Sequence, residues 1–239
     1  MSIKPVVVMP TYNNGNTVAD VIERTLEAIA GAKVIVVNDG STDSTATILD
    51  GRISGALTVL AHEVNRGKAA ALRSGFAWAI RQNYTHAVTI DTDGQHHPEQ
   101  IVDLLKVAQA HPESLILGAR DVNIDGYPLK SLVGRRVSNM VIRGLAGVEV
   151  NDSQSGFRVY PLDFMAQVQC IGQHYSYESE ILVRAAWAGR SIIEVPIDSQ
   201  YLAPEERVSH LNPWLDTLRN LLVALRLLPF SLSERGRHC

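Results

Sequence analysis

Ile3-Lys4-Pro5-Val6-Val7-Val8-Met9 runs directly into Pro10-Thr11-Tyr12-Asn13-Asn14, and this junction decides how the rest of the chain is read. The near-continuous apolar run predicts a strand covered on both faces, as in a parallel sheet. Beyond it, Val18, Val21, Ile22, Leu26 and Ile29 recur at helical spacing, and Val34–Val37 supplies the next strand. The alternation continues with a helix from Ser41 to near Gly51, a strand at Leu57–Ala61, a helix at Lys68–Asn83 and a strand at Ala87–Ile90. A helix opened by Pro98 then runs to about His111 and a strand follows at Leu115–Leu117. The later pattern is less regular: helix Leu129–Gly147, extended Phe157–Tyr160, helix Tyr177–Ala188 and strand Ser191–Ile197. A polar loop at Pro204–His210 precedes a final helix at Asn212–Leu227. This order predicts an α/β fold, a mainly parallel, doubly wound sheet flanked by helices with ligands at the carboxyl ends of its strands.

The chain has 239 residues, 46% of them hydrophobic and 20% charged, enough apolar surface for one large domain and too little charge for a disordered polymer. The net charge of -3 argues against a cationic nucleic-acid binder. Cys170 and Cys239 give neither a disulfide framework nor a paired metal motif, which points to a reducing, cytoplasmic setting. Met1–Pro10 turns polar too soon for a secretory signal, and Leu221–Phe230, interrupted by Arg226, is far shorter than the ~20 apolar residues of a spanning helix.

Three polar clusters follow predicted strands: Pro10–Asn14, Asn38-Asp39-Gly40-Ser41 and Asp91-Thr92-Asp93-Gly94-Gln95. Turn and cap chemistry accounts for the first two taken singly. Asp91 and Asp93 differ, because two carboxylates one residue apart concentrate charge that a hard divalent cation such as Mg²⁺ or Mn²⁺ relieves. His96 and His97 sit beside them but, as neighbours, do not readily share one ion.

Five ordered blocks, Val6–Asn13, Val36–Asp43, Asn65–Leu72, Asp91–His96 and Asp152–Arg158, resemble the signatures of family-2 glycosyltransferases. The nearest branch is the one containing polyprenyl-phosphate mannosyl and glucosyl synthases. The resemblance implies the GT-A fold, with residues 1–202 as the catalytic domain and 203–239 as its closing loop and amphipathic C-terminal helix. It implies that Pro10, Tyr12 and Asp39 hold the base and ribose of a nucleotide-diphospho-sugar, with Asn14 at a position where relatives often carry Glu, and with Lys68 near the nucleotide. Asp91, Asp93 and Gln95 would hold one Mg²⁺ or Mn²⁺ on the diphosphate. Arg120 and Arg135 resemble acceptor-phosphate contacts, while Arg136 reads as a solvated charge. Arg207, Ser209 and His210 lie in a loop similar to one that closes over donor phosphates, with His210 where the branch often has Lys.

The expected reaction is metal-dependent and inverting, the ion stabilising the departing nucleoside diphosphate. Asp93 is assigned to this chemistry, and Glu178 is the base required by a hydroxyl acceptor, whereas a lipid phosphate acceptor needs none. Glu180 reads equally well as charge at a helix N-terminus. A polyprenyl phosphate or another lipid-linked acceptor is expected, and Trp214 and Arg219 suit the last helix to peripheral contact with the membrane surface. Two other readings compete: a haloacid-dehalogenase-like phosphatase with Asp91 as nucleophile, and a catalytically silent nucleotide-sugar binder.

Overall fold

Strand β1 (Pro5–Thr11) is buried along all but its first residue, so its side chains must satisfy two apolar layers at once. Alternate residues divide accordingly. Val6 and Val8 join one cluster with Ile35 and Val37, whereas Val7 and Met9 join the other with Val34 and Val36. The computed structural model describes residues 2–121, 129–172, 176–199 and 226–227, with the side chains of 129–131 excepted.

The other strands are β2 (Val34–Asn38), β3 (Leu57–Ala61), β4 (His86–Thr89), β5 (Leu115–Arg120), β6 (Arg158–Pro161) and β7 (Ile192–Ile197). They form a seven-stranded sheet in the order β3-β2-β1-β4-β6-β5-β7. All neighbours are parallel except β6, which runs antiparallel to both β4 and β5. The sheet is therefore mixed and mostly parallel.

One face is covered by α3 (Lys68–Arg81), α5 (Leu129–Ala146), α6 (Leu162–Gln167) and α7 (Ser176–Trp187), which contribute Leu72, Phe76, Ile142, Leu145, Phe164, Ile181 and Leu182 to the first cluster. The opposite face carries α1 (Val18–Ala28), α2 (Thr45–Asp50) and α4 (Ile101–Ala110), through Val21, Ile22, Leu49, Ile101 and Leu104. Contact between α3 and β1 is close: a Cβ on Gly75 would stand 2.4 Å from Val8 Cγ1, so a larger residue would push the helix off the sheet.

Three local departures from the sequence reading have physical causes. Strand β1 extends through Pro10 and Thr11, which pair with Val37 and Asn38. Helix α2 begins at Thr45 instead of Ser41, because Ser41, Thr42 and Asp43 bond to the loop after β1. Helix α6, which periodicity over so few residues did not reveal, starts after Pro161. Of the closing loop and final helix expected over 203–239, only Arg226 and Leu227 belong to the described residues, and Leu227 is buried in the cluster that contains Ile142 and Ile181.

Candidate active site

The carboxyl ends of β1, β2 and β4 bring the polar clusters together. Asn13 takes a left-handed backbone conformation, φ 54°, which Asn tolerates better than most residues. Its amide N–H donates to Ser41 Oγ at 3.0 Å, and its Oδ1 accepts the Thr42 N–H at 2.8 Å. The first loop is thus clasped to the second.

Thr92, between the two acidic residues, ties the first loop to the third. Its Oγ1 accepts from Asn14 Nδ2 at 2.8 Å and donates to Thr11 Oγ1 at 2.9 Å, and its carbonyl accepts from the Thr17 hydroxyl. Asn14 is consequently buried and engaged with protein; Pro10 lies inside β1, and Tyr12 is half-buried just beyond it.

Asp39, 3% exposed, anchors the loop that leads into α3. Its Oδ1 accepts from His62 Nδ1 at 2.6 Å and from the Arg66 N–H at 3.0 Å, and its Oδ2 accepts the Gly67 N–H at 2.7 Å. A carboxylate oxygen has two acceptor positions, so among the described residues these bonds leave one on Oδ2 unclaimed. On the other side of the ring, His62 Nε2 lies 2.9 Å from Ser74 Oγ.

Lys68, the first residue of α3, reaches across the strand ends. Its Nζ lies 2.7 Å from Asp91 Oδ1, 2.9 Å from Asp91 Oδ2 and 3.2 Å from Glu178 Oε2. Burial opposes ionisation of Asp91, but the charge and hydrogen bond of Lys68, with His96 and Arg120, together outweigh it and hold this carboxyl below its ordinary range. Burial, reinforced by the neighbouring Asp91 charge, pushes Asp93 up to about 6. Asp93 Oδ1 also accepts the Gln95 N–H at 3.0 Å. Glu178, in the first turn of α7, is raised by burial against the pull of Lys68.

The mutual repulsion of Asp91 and Asp93 is what a divalent cation relieves, and Asp91, Asp93 and the Gln95 amide oxygen are hard donors of the type Mg²⁺ and Mn²⁺ take. These residues fit such an ion. Among the described residues, no group of three or more His, Cys, Asp or Glu side chains is clustered for one. His96 is buried against Phe157, and burial pushes its imidazole down to about 4; His97 instead approaches Arg24.

A second polar centre lies at the end of β5. Arg120 Nε and Nη2 donate to Asp152 Oδ2 and Oδ1 at 2.7 and 3.0 Å, and Arg135 Nη1 stands 3.5 Å from Asp152 Oδ2. Arg135 also donates to the Arg120 and Asn151 carbonyls. With Asp121, Leu132, Arg136, Asn139 and Asn151, the two arginines line a cleft of about 330 Å³. Arg136, expected to be an isolated surface charge, is exposed but belongs to this lining.

Several groups here carried no assignment from sequence. Asp152 and Arg158 sit inside the fifth block, yet nothing local signals that Asp152 gathers two arginines. Arg158, fully buried, donates to the backbone carbonyls of Ser153, Ser155 and Glu178 and so fastens that segment to α7. Glu180 bonds the N–H groups of Ile171 and Gly172 and pairs with Arg184, a structural use. Arg207, Ser209 and His210 lie outside the described residues.

Fold and site define a glycosyltransferase of the GT-A class, an enzyme that moves a sugar from a nucleotide-sugar. The chain belongs to Glycosyl transferase family 2, whose model matches residues 6–165. It is 30% identical over 204 residues to a polyprenol monophosphomannose synthase of Mycolicibacterium smegmatis, covering 81% of this chain and 76% of that protein. It is 27% identical over 198 residues to an undecaprenyl-phosphate mannosyltransferase of Micrococcus luteus, covering 80% and 81%. Among solved structures, glucosyl-3-phosphoglycerate synthase of Mycobacterium tuberculosis, in complex with Mn²⁺, UDP and glucosyl-3-phosphoglycerate, superposes with a TM-score of 0.68 at 22% identity, covering 98% of this chain and 80% of that one. Family membership sets aside the phosphatase reading of Asp91. Among the described residues, no helix is long and apolar enough to cross a membrane.

Proposed function

We propose that this enzyme transfers a hexose, with inversion, from a nucleoside diphosphate sugar to a polyprenyl phosphate. The observation that carries the acceptor assignment is the cleft at the end of β5. Three guanidiniums, of Arg120, Arg135 and Arg136, face it against the carboxylates of Asp121 and Asp152, leaving positive charge for a phosphate monoester. Arg120 also acts electrostatically on Asp91 and Asp93, which supports an acceptor phosphate in the cleft meeting the donor end of the site. The mycobacterial and micrococcal relatives, both named for polyprenyl-phosphate chemistry, support the same acceptor class.

On the donor side, Asp91, Asp93 and Gln95 hold Mg²⁺ or Mn²⁺, whose chemistry is Lewis-acid stabilisation of the leaving diphosphate. Pro10, Tyr12 and the remaining acceptor position of Asp39 receive base and ribose, Asn14 and Thr92 keep that loop in place, and Lys68 lies on the diphosphate side. A phosphate acceptor is already anionic and attacks without a base, so Glu178 serves Lys68 instead of removing a proton.

The test is incubation with GDP-mannose, UDP-glucose or UDP-N-acetylglucosamine, Mn²⁺ and a short-chain polyprenyl phosphate. A lipid-linked sugar that forms with one donor and disappears in Asp93→Ala is the expected result. Transfer to phosphoglyceric acid with none to the lipid would overturn the acceptor assignment.

A further inference from the structure

Lys68 occupies an unusual place for a residue beside a metal site, because its ammonium straddles both oxygens of one of the carboxylates assigned to the ion, at 2.7 and 2.9 Å. Its side chain is 13% exposed, so solvent screens this pair poorly. The backbone of Gly156 walls the far side: a Cβ there would stand 2.4 Å from Asp91 Oδ2 and 2.7 Å from Lys68 Nζ. Ammonium and carboxylate are therefore both packed against Gly156. The ammonium does have a second carboxylate, Glu178, whose Oε2 is 3.2 Å away and whose buried Oε1 has no hydrogen-bond partner among the described residues. An ammonium carries three N–H donors, so movement toward Glu178 supplies the bond that Oε1 lacks.

We propose that Lys68 is the resident cation of the metal site, neutralising Asp91 until a divalent ion displaces it onto Glu178. This rests on the assignment of Asp91, Asp93 and Gln95 to the ion and adds how that site is regulated. An incoming ion must evict an ammonium to reach Asp91, so the ion alone binds weakly. The diphosphate of the donor brings negative oxygens that favour both the ion and the displaced ammonium. Ion and nucleotide consequently bind as a cooperative pair, and the enzyme does not hold a loaded metal in the absence of donor. Gly156 belongs to the device, since a Cβ there would crowd both Asp91 Oδ2 and Lys68 Nζ.

The experiment measures Mn²⁺ binding by the electron paramagnetic resonance signal of the free ion, with protein alone and with saturating UDP or GDP. Wild type is compared with Lys68→Met, Lys68→Gln and Asp93→Ala, each checked for folding by thermal unfolding; Lys68→Gln retains hydrogen-bond donors should Lys68→Met fail to fold. The expected result is that wild type binds Mn²⁺ weakly alone and tightly with a nucleotide. The Lys68 variants bind nucleotide-free Mn²⁺ about tenfold more tightly or better, the scale on which one neighbouring charge shifts an ionisation equilibrium, and the gain from nucleotide shrinks. Lys68 variants with unchanged or weaker nucleotide-free Mn²⁺ binding, alongside loss of binding in Asp93→Ala, would overturn the role of Lys68 and leave the metal assignment standing. No Mn²⁺ binding by wild type with either nucleotide would overturn both.

Discussion

Arg120 and Asp152, 32 residues apart in the chain, form a two-pronged ion pair in which Nε and Nη2 meet Oδ2 and Oδ1 at 2.7 and 3.0 Å. The Arg120 backbone N–H adds a third bond to the same carboxylate, at 3.2 Å. Asp152 is fully buried, and Arg135, 5% exposed, completes its surroundings. One carboxylate therefore fixes two guanidiniums at the rim of the cleft at the end of β5.

Removing that carboxylate leaves two poorly solvated cations facing each other. Asp152→Asn is expected to lower the unfolding free energy at neutral pH by about 3 kcal/mol, in the range for breaking a buried pair. Burial alone raises the Asp152 pKa, but Arg120 and Arg135 outweigh it and hold the group below its ordinary value. Its stabilisation is therefore present above the unfolded pKa near ~3.9 and is lost as pH falls below that, through the folded value. Urea unfolding at neutral pH and below pH ~4 checks both statements: wild type loses stability on acidification, and the variant loses less.

A second pH effect belongs to His86 at the start of β4. Burial lowers its pKa from 6.5, and its Nε2 lies 2.8 Å from the Pro112 carbonyl, so the neutral ring donates there. The unfolded chain takes up a proton below pH ~6.5 that the folded chain refuses, so stability falls as pH drops from that value toward the folded pKa. Comparison of urea midpoints at pH 7.5 and 5.5 is expected to show a smaller difference for His86→Gln than for wild type.

Thr92 lies between Asp91 and Asp93 and is bonded to Asn14, Thr11 and Thr17 of the first loop. Thr92→Val keeps the shape but strands Asn14 Nδ2 and Thr11 Oγ1, which is expected to cost about 1–3 kcal/mol of stability. Donor KM and Mn²⁺ affinity are expected to weaken with it, and Thr92→Ser restores both. Recovery of stability in Thr92→Ser without recovery of donor KM would confine Thr92 to a structural role.

Glu178→Gln separates the two acceptor classes. A general base contributes about 10²–10⁴ in rate, and a phosphate acceptor does not require one. Steady-state turnover with a polyprenyl phosphate is expected to stay within about tenfold of wild type, well short of a lost base. A 10³-fold fall, with donor binding intact, would return Glu178 to the role of base and favour a hydroxyl acceptor.

The continuous apolar run Val6-Val7-Val8-Met9, the helical spacing from Val18 to Ile29 and the Gly-Asn-Asp punctuation after strands carry the parallel half of the sheet in plain view. The reversed direction of β6 was not legible, because Arg158–Pro161 looks the same read either way and pairs with strands far away in the chain. The same distinction divides the site. Asp91, Asp93, Lys68 and Arg120 stand out as chemistry-bearing residues at strand and helix ends, and the ordered blocks around them identify the family.

What remained hidden was who meets whom. Lys68 reads as a phosphate ligand until the fold sets it between Asp91 and Glu178, and Asp152 reads as a loop residue until it is buried beneath Arg120 and Arg135. Asp39 reads as a free nucleotide contact until the folded loop delivers His62 and two backbone amides to it. Periodicity and turn chemistry act between residues a few positions apart, so they are written along the chain. The partner of a buried charge is chosen only when distant segments close around it, and the energy of that pairing comes from the exclusion of water, which no local stretch of sequence encodes.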